Sequence, residues 1–130
     1  MERVKIKKQK IQNLDMIFEY RSTKKENINL FRFFGELVDR SQAKELIAEI
    51  DALIVKGENK ILLNFEDLRY INSSGLNVLI NILTKARKAS GDVAICCVNK
   101  KIDELLVITK LDDIFNVDAD EEQAIEKLNK

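Results

Sequence analysis

Apolar positions change their spacing near the middle of the chain. Ile61-Leu62-Leu63-Asn64-Phe65 is a short, nearly continuous apolar run of strand length. Glu66 to Ile71 forms a polar-to-apolar bridge, and the small cluster Asn72-Ser73-Ser74-Gly75 follows. Beyond it, Leu76, Leu79, Ile80, Leu83 and Ala86 recur at helical spacing. The pattern predicts a buried strand, a tight turn and an amphipathic helix whose opening turn carries the hydroxyls.

The flanking segments read in the same way. Met16 to Tyr20 and Ile28 to Phe34 are strand-like, and Ser22 to Asn27 between them supplies turn chemistry, which predicts a hairpin. Phe31, Phe33 and Phe34 are core or sheet-face material. Asp39 with Gln42 forms a capping box ahead of an apolar stripe at Ala43, Leu46, Ile47, Ile50, Leu53 and Ile54, which Gly57 ends. Gly91 is expected to stop the helix that begins near Ser73. Val93 to Val98 predicts another buried strand, Lys100 to Lys110 a weak helix with Ile102, Leu105 and Leu106 inward, and Leu111 to Val117 a short strand. Glu121 to Lys130 aligns Ala124, Ile125 and Leu128 as a closing helix. Strands alternating with helices imply an α/β fold with a mixed sheet of about four or five strands, an N-terminal hairpin and about four helices.

Composition narrows the chemistry. The 130 residues suit one domain, and 45% apolar content is enough for a single core. The 22 basic and 22 acidic side chains balance, which argues against a nucleic-acid binder relying on bulk charge. No apolar run approaches bilayer-spanning length, and Met1 to Lys8 has no apolar signal core, so direct membrane insertion is not expected and the expected location is the cytoplasm. Residues 1–15 hold five basic side chains with scattered Val4, Ile6, Ile11 and Leu14. They read as a basic arm or extra strand ahead of a domain at 16–130, with a basic patch for a partner or membrane surface as the alternative. Cys96 and Cys97 are adjacent in a strand pattern, so their side chains are expected on opposite faces as small packing residues. The absence of His removes the usual general base and the commonest metal ligand, and no acidic or Cys cluster has ligand spacing. An independent enzyme, a cofactor and a metal site are therefore not expected.

The cluster before the central helix remains. The first backbone N–H groups of a helix lack intrahelical partners, and the macrodipole leaves partial positive charge there. Asn72 or Ser73 can cap such a helix, and a phosphate attached to a serine there sits where an anion is favoured. Gly75 leaves the backbone open to close approach by another molecule.

Phe65-Glu66-Asp67-Leu68, then Ile71-Asn72-Ser73-Ser74-Gly75-Leu76 and a Val/Leu/Ile-rich helix, resembles the signature of STAS domains, closest to the bacterial anti-sigma factor antagonists. The resemblance extends upstream to Phe34-Gly35-Glu36-Leu37 and downstream through Gly91 to Cys96 and Leu111 to Phe115. It implies a STAS fold over 16–130 and a partner-switching role. In that family the motif reads Asp-Ser-Ser/Thr-Gly-Leu, and the hydroxyl residue before Gly is phosphorylated by the partner kinase; by match, this is Ser74. The unmodified antagonist binds an anti-sigma factor, freeing a sigma factor, and the modified form lets go. The anti-sigma factor is itself the serine kinase, with a histidine-kinase-like ATP-binding fold, and a metal-dependent serine phosphatase resets the cycle. Asn72, Ser73, Ser74, Gly75, Leu76 and Asn77 are the implied partner-binding residues.

This sequence departs from that pattern in three places. Asn72 stands where members usually carry Asp. Val38 intervenes before Asp39, where the family places Asp directly after Gly-x-Leu. Lys110 stands where Gly is frequent. A second reading on the same fold is a STAS subunit of a lipid-transport assembly docking on an ABC-type ATPase. A small-ligand or nucleotide module has no residue pattern behind it.

Overall fold

The computed structural model describes the backbone of residues 5–10 and all of residues 17–130. Strand β2 (Ile17–Lys25) turns through Glu26 and Asn27 into β3 (Ile28–Leu37). Both turn residues have positive φ, 50° and 67°, the left-handed backbone region in which a two-residue turn matches the right-handed twist of its strands. The turn is tighter than its polar residues suggest: Ser22 to Lys25 belong to β2, pairing through to Lys25 opposite Ile28. Residues 5–10 form β1 (Lys5–Lys10), antiparallel to β2. The rest of the segment 1–15, the side chains that would make its basic patch, and Met16 lie outside the described residues.

After β3 come a 3-10 turn (Arg40–Ala43), α1 (Lys44–Val55) and β4 (Lys60–Ile71). Next are α2 (Ser73–Lys88), β5 (Asp92–Cys96), α3 (Lys100–Ile108), a second 3-10 turn (Leu111–Asp113), β6 (Asn116–Asp118) and α4 (Glu121–Leu128). The strands lie in chain order, β1-β2-β3-β4-β5-β6. The pairs from β3 to β6 are parallel and the first two are antiparallel, which makes the expected mixed sheet. Residues 17–130 contribute five of the six strands and four α-helices.

Each face of the sheet has its own cover. Phe18, Tyr20, Phe31, Phe33, Leu63 and Phe65 pack with Leu46 and Ile50 of α1, Leu79 and Ile82 of α2 and Leu106 of α3. The Phe33 and Phe65 rings stack at 5.3 Å, and Phe18 meets Phe33 edge-on at 4.9 Å. Phe34 points away from this cluster, under the guanidinium groups of Arg21 and Arg32. The other face is covered by α4, with Ala124, Ile125 and Leu128 on Ile28, Leu30, Leu62, Ala94 and Cys96. Glu49 of α1 ties helix to hairpin, accepting from the Tyr20 hydroxyl at 3.1 Å and from Ser22 Oγ at 2.6 Å. Burial, then the Glu49 carboxylate, pushes the Tyr20 phenol above its ordinary range.

Several local expectations are corrected. Glu66 to Ile71 is strand, because the second half of β4 stays paired to β3 across two register shifts, with Leu37 reaching Ile71. On α2, Ile80 is 39% exposed while Val78 and Ile82 are buried, so the buried stripe is rotated from the one its spacing suggested. The left-handed residue after α2 is Ser90, φ 65°, rather than Gly91. Gly91 instead admits Asn59, whose carbonyl oxygen would lie 2.1 Å from a Cβ there. The segment expected as a strand from Leu111 opens with the second 3-10 turn, and only Asn116–Asp118 pairs. Cys97 lies beyond β5 with φ 63°, which breaks the alternation and brings its sulfur to 3.5 Å from that of Cys96. Both thiols are free, and burial pushes both upward in pKa.

Candidate functional site: the start of α2

The segment leaving β3 and the start of α2 are fastened to each other by Asn72. Its side-chain oxygen accepts from the Gly75 N–H at 3.0 Å and caps the helix. Its amide nitrogen donates to the Val38 carbonyl at 2.9 Å, and its backbone N–H reaches the Leu37 carbonyl at 3.4 Å. Two of the three departures from the resembling pattern therefore meet: the inserted Val38 supplies the carbonyl, and Asn at position 72 supplies a donor that an aspartate lacks.

Beneath this contact Gly75 is buried, and a Cβ there would lie 2.3 Å from the Leu37 carbonyl oxygen. The close approach that glycine allows is thus taken by the chain's own backbone rather than left open to another molecule. Leu76 is also buried, at 6% exposure. The exposed part of the cluster is Ser73 and Asn77, with Ser74 half-buried between them.

The same strand-to-helix passage places Arg40. Asp39 caps the 3-10 turn, accepting from the Ser41 N–H at 3.0 Å and from the Ser41 hydroxyl. Those contacts, the hydroxyl first, hold the Asp39 carboxyl below its usual pKa. Gln42, 1% exposed, accepts from the backbone of Val38 and Asp39 and donates to the Glu36 carbonyl. The predicted capping box is therefore present, on a 3-10 turn that precedes α1.

Two concavities flank the helix start. One, of about 190 Å³, is lined by Arg40, Ser74, Asn77, Val78 and Asn81. On α2, Ser74, Asn77, Val78 and Asn81 follow the spacing of one helix face. The other, of about 430 Å³, is more apolar and runs from Tyr70, Ser73 and Leu76 to Ile102 and Leu105 of α3. Lys101 sits over the Tyr70 ring there, 5.5 Å from its centre. Among the described residues, the Ser74 hydroxyl makes no hydrogen bond and the Arg40 guanidinium makes no ion pair. Ser73 and Ser74, adjacent in sequence, thus face different concavities.

The structure brings together all six predicted partner-binding positions, with Gly75 and Leu76 as the buried floor. Arg40 and Asn81 belong to no sequence motif. Arg40 is 34 positions from Ser74, and the parallel pairing of β3 with β4, together with the Asn72 bonds to Leu37 and Val38, joins their segments. No group of His, Cys, Asp or Glu among the described residues could hold a metal ion. Among the same residues, no helix is long and apolar enough to cross a membrane.

Known proteins resemble this chain in sequence and in fold. The STAS domain family profile matches residues 19–124. Curated relatives carry the name "Putative anti-sigma factor antagonist". BtrV of Bordetella bronchiseptica is 31% identical over 88 residues, covering 68% of this chain and 76% of the relative. The Thermotoga maritima protein is 32% identical over 80 residues, covering 62% of this chain and 71% of the relative. Among solved structures, the Bacillus cell fate determinant SpoIIAA in its phosphorylated form superposes with a TM-score of 0.66 at 22% identity. That match covers 83% of this chain and 97% of SpoIIAA, and it is a likeness of fold.

Proposed function

The chain belongs to the STAS domain family, and from that premise we propose that it is an anti-sigma factor antagonist switched by phosphorylation of Ser74. It binds an anti-sigma factor with serine kinase activity while Ser74 is unmodified, and so releases a sigma factor in the cytoplasm. The kinase moves the γ-phosphoryl group of ATP onto Ser74 Oγ, leaving ADP, and the serine proton passes to a base on the kinase. A serine phosphatase hydrolyses the ester and restores binding. This chain is the substrate and the binder; it carries out neither step itself.

One observation carries this reading. Ser74 stands on the first turn of α2, its hydroxyl without a hydrogen bond among the described residues, in a cavity whose lining includes no acidic side chain. Asn72, Ser73, Ser74 and Asn77 form the docking face, held at a fixed height by buried Gly75 and Leu76. Phosphorylation adds close to two negative charges. At a partner surface fitted to a neutral hydroxyl, a desolvation and repulsion penalty of about 3 kcal/mol weakens binding roughly a hundredfold. The antagonist names of the curated relatives support the partner class.

The test is intact-mass analysis after incubation with ATP and candidate anti-sigma kinases from the source organism. A single phosphoryl group is expected, absent in Ser74→Ala. Ser74→Asp is expected to bind the anti-sigma factor roughly a hundredfold more weakly at an unchanged circular dichroism spectrum. Equal affinity of Ser74→Asp and wild type overturns the electrostatic switch. Capture of an ABC-type ATPase, with no kinase active on Ser74, overturns the antagonist reading.

A further inference from the structure

We infer that Arg40 is a built-in holder for the phosphorylated state: its guanidinium closes on a phosphoryl group carried by Ser74. The inference rests on the reading of Ser74 as the modified residue, and it concerns what the modified protein does with its new charge.

Arg40 and Ser74 line one cavity of about 190 Å³. Guanidinium is the side chain best matched to phosphate, offering paired donors in a planar fork. Arg40 is exposed and makes no ion pair among the described residues, so it need not break a bond to take up a phosphate. Its neighbour Asp39 does not compete, since that carboxylate is already used by the Ser41 N–H and hydroxyl. Asn77 and Asn81 add amide donors from the same side of α2.

Position is fixed as well as chemistry. Arg40 opens the 3-10 turn whose start is held by Asp39 and by the buried Gln42. The chain entering that turn is bound to the start of α2 through Asn72 and the Val38 carbonyl. The arginine backbone and the serine backbone are therefore parts of one rigid corner, and only the long arginine side chain has to move. Ser73 provides an internal contrast: it lines the opposite concavity with Tyr70, and Arg40 does not line that one.

Installing phosphoserine at position 74 by genetic encoding tests this without any kinase. The second ionisation of the phosphate is followed by phosphorus NMR against pH in wild type, Arg40→Lys and Arg40→Gln backgrounds. A cation beside the phosphate favours its dianion, so the second pKa in wild type is expected roughly half a unit to one unit below that in Arg40→Gln. Arg40→Lys is expected to fall between them, and phosphoserine at position 73 is expected to titrate alike in all three backgrounds. Equal titration of phosphoserine 74 in wild type and Arg40→Gln overturns the inference. Binding of Ser74→Asp to the anti-sigma factor is measured separately, so failure of the switch and failure of the holder are read from different experiments.

Discussion

Asn72 uses both ends of its amide, and this decides what can replace it. The oxygen caps α2 at the Gly75 N–H, while the nitrogen binds the Val38 carbonyl 34 positions earlier in the chain. Asn72→Asp keeps the cap but removes the donor and sets a negative charge against a carbonyl oxygen. Leaving such an acceptor unpaired costs about 1–2 kcal/mol, to be read as a lower urea midpoint at neutral pH. Deleting Val38 in the same chain changes which carbonyl faces Asn72, so the two changes are expected to be non-additive in a double-mutant cycle. Equal urea midpoints for wild type and Asn72→Asp would show that the bond between residues 38 and 72 contributes nothing measurable. Gly75 is stricter still. A methyl group at that position lies 2.3 Å from the Leu37 oxygen, so Gly75→Ala is expected to lose about 1–3 kcal/mol and to melt at a lower temperature.

At the scale of elements, Lys110 shows how a left-handed position is filled without glycine. It follows α3 with φ 62°, a conformation that costs a side chain with a Cβ but not glycine. Lys110→Gly is expected to stabilise the protein by about 0.5–1 kcal/mol in chemical denaturation. The lysine itself announces nothing about its backbone; the sign of this requirement was the glycine frequent at that place in the resembling family. At Ser90 after α2 the left-handed position was hidden, because the nearby Gly91 drew the expectation of a helix stop. What the sequence does display is periodicity and caps. The stripe at Leu46 and Ile50, the box formed by Asp39 and Gln42, and the alignment of Ala124, Ile125 and Leu128 all appear as spaced residue types. The Ser74 cluster was legible as a local motif followed by a helical period. Its cavity was not, because Arg40 reaches it through strand pairing, and pairing leaves no mark in a local window. The Cys pair failed for a related reason: alternation holds only while the backbone stays extended, and Cys97 has left the strand.

At the scale of the molecule, the two faces of the sheet are unequally covered. Three helices lie over the aromatic face, and α4 covers Ile28, Leu30, Leu62 and Ala94 on the other. Deleting residues 119–130 uncovers that apolar surface while sparing every strand. The shortened chain is expected to bind a hydrophobic dye and to self-associate more strongly than the full chain, measured by fluorescence and light scattering. Equal signals from the two chains would mean that the surface under α4 is not adhesive when uncovered. The Ser74 cluster lies at the carboxyl end of β4, and the Glu26–Asn27 turn precedes β3 at the other end of the parallel strands.

The chain-order arrangement of the strands also bears on how the protein comes off the ribosome. Each new strand finds its neighbour already made, so the sheet can grow in step with synthesis and no strand waits for a distant partner. The helix that shields the second face is encoded after every strand. Throughout elongation that greasy surface is bare, and a chaperone that engages the nascent chain should recognise it until residue 128 has cleared the exit tunnel.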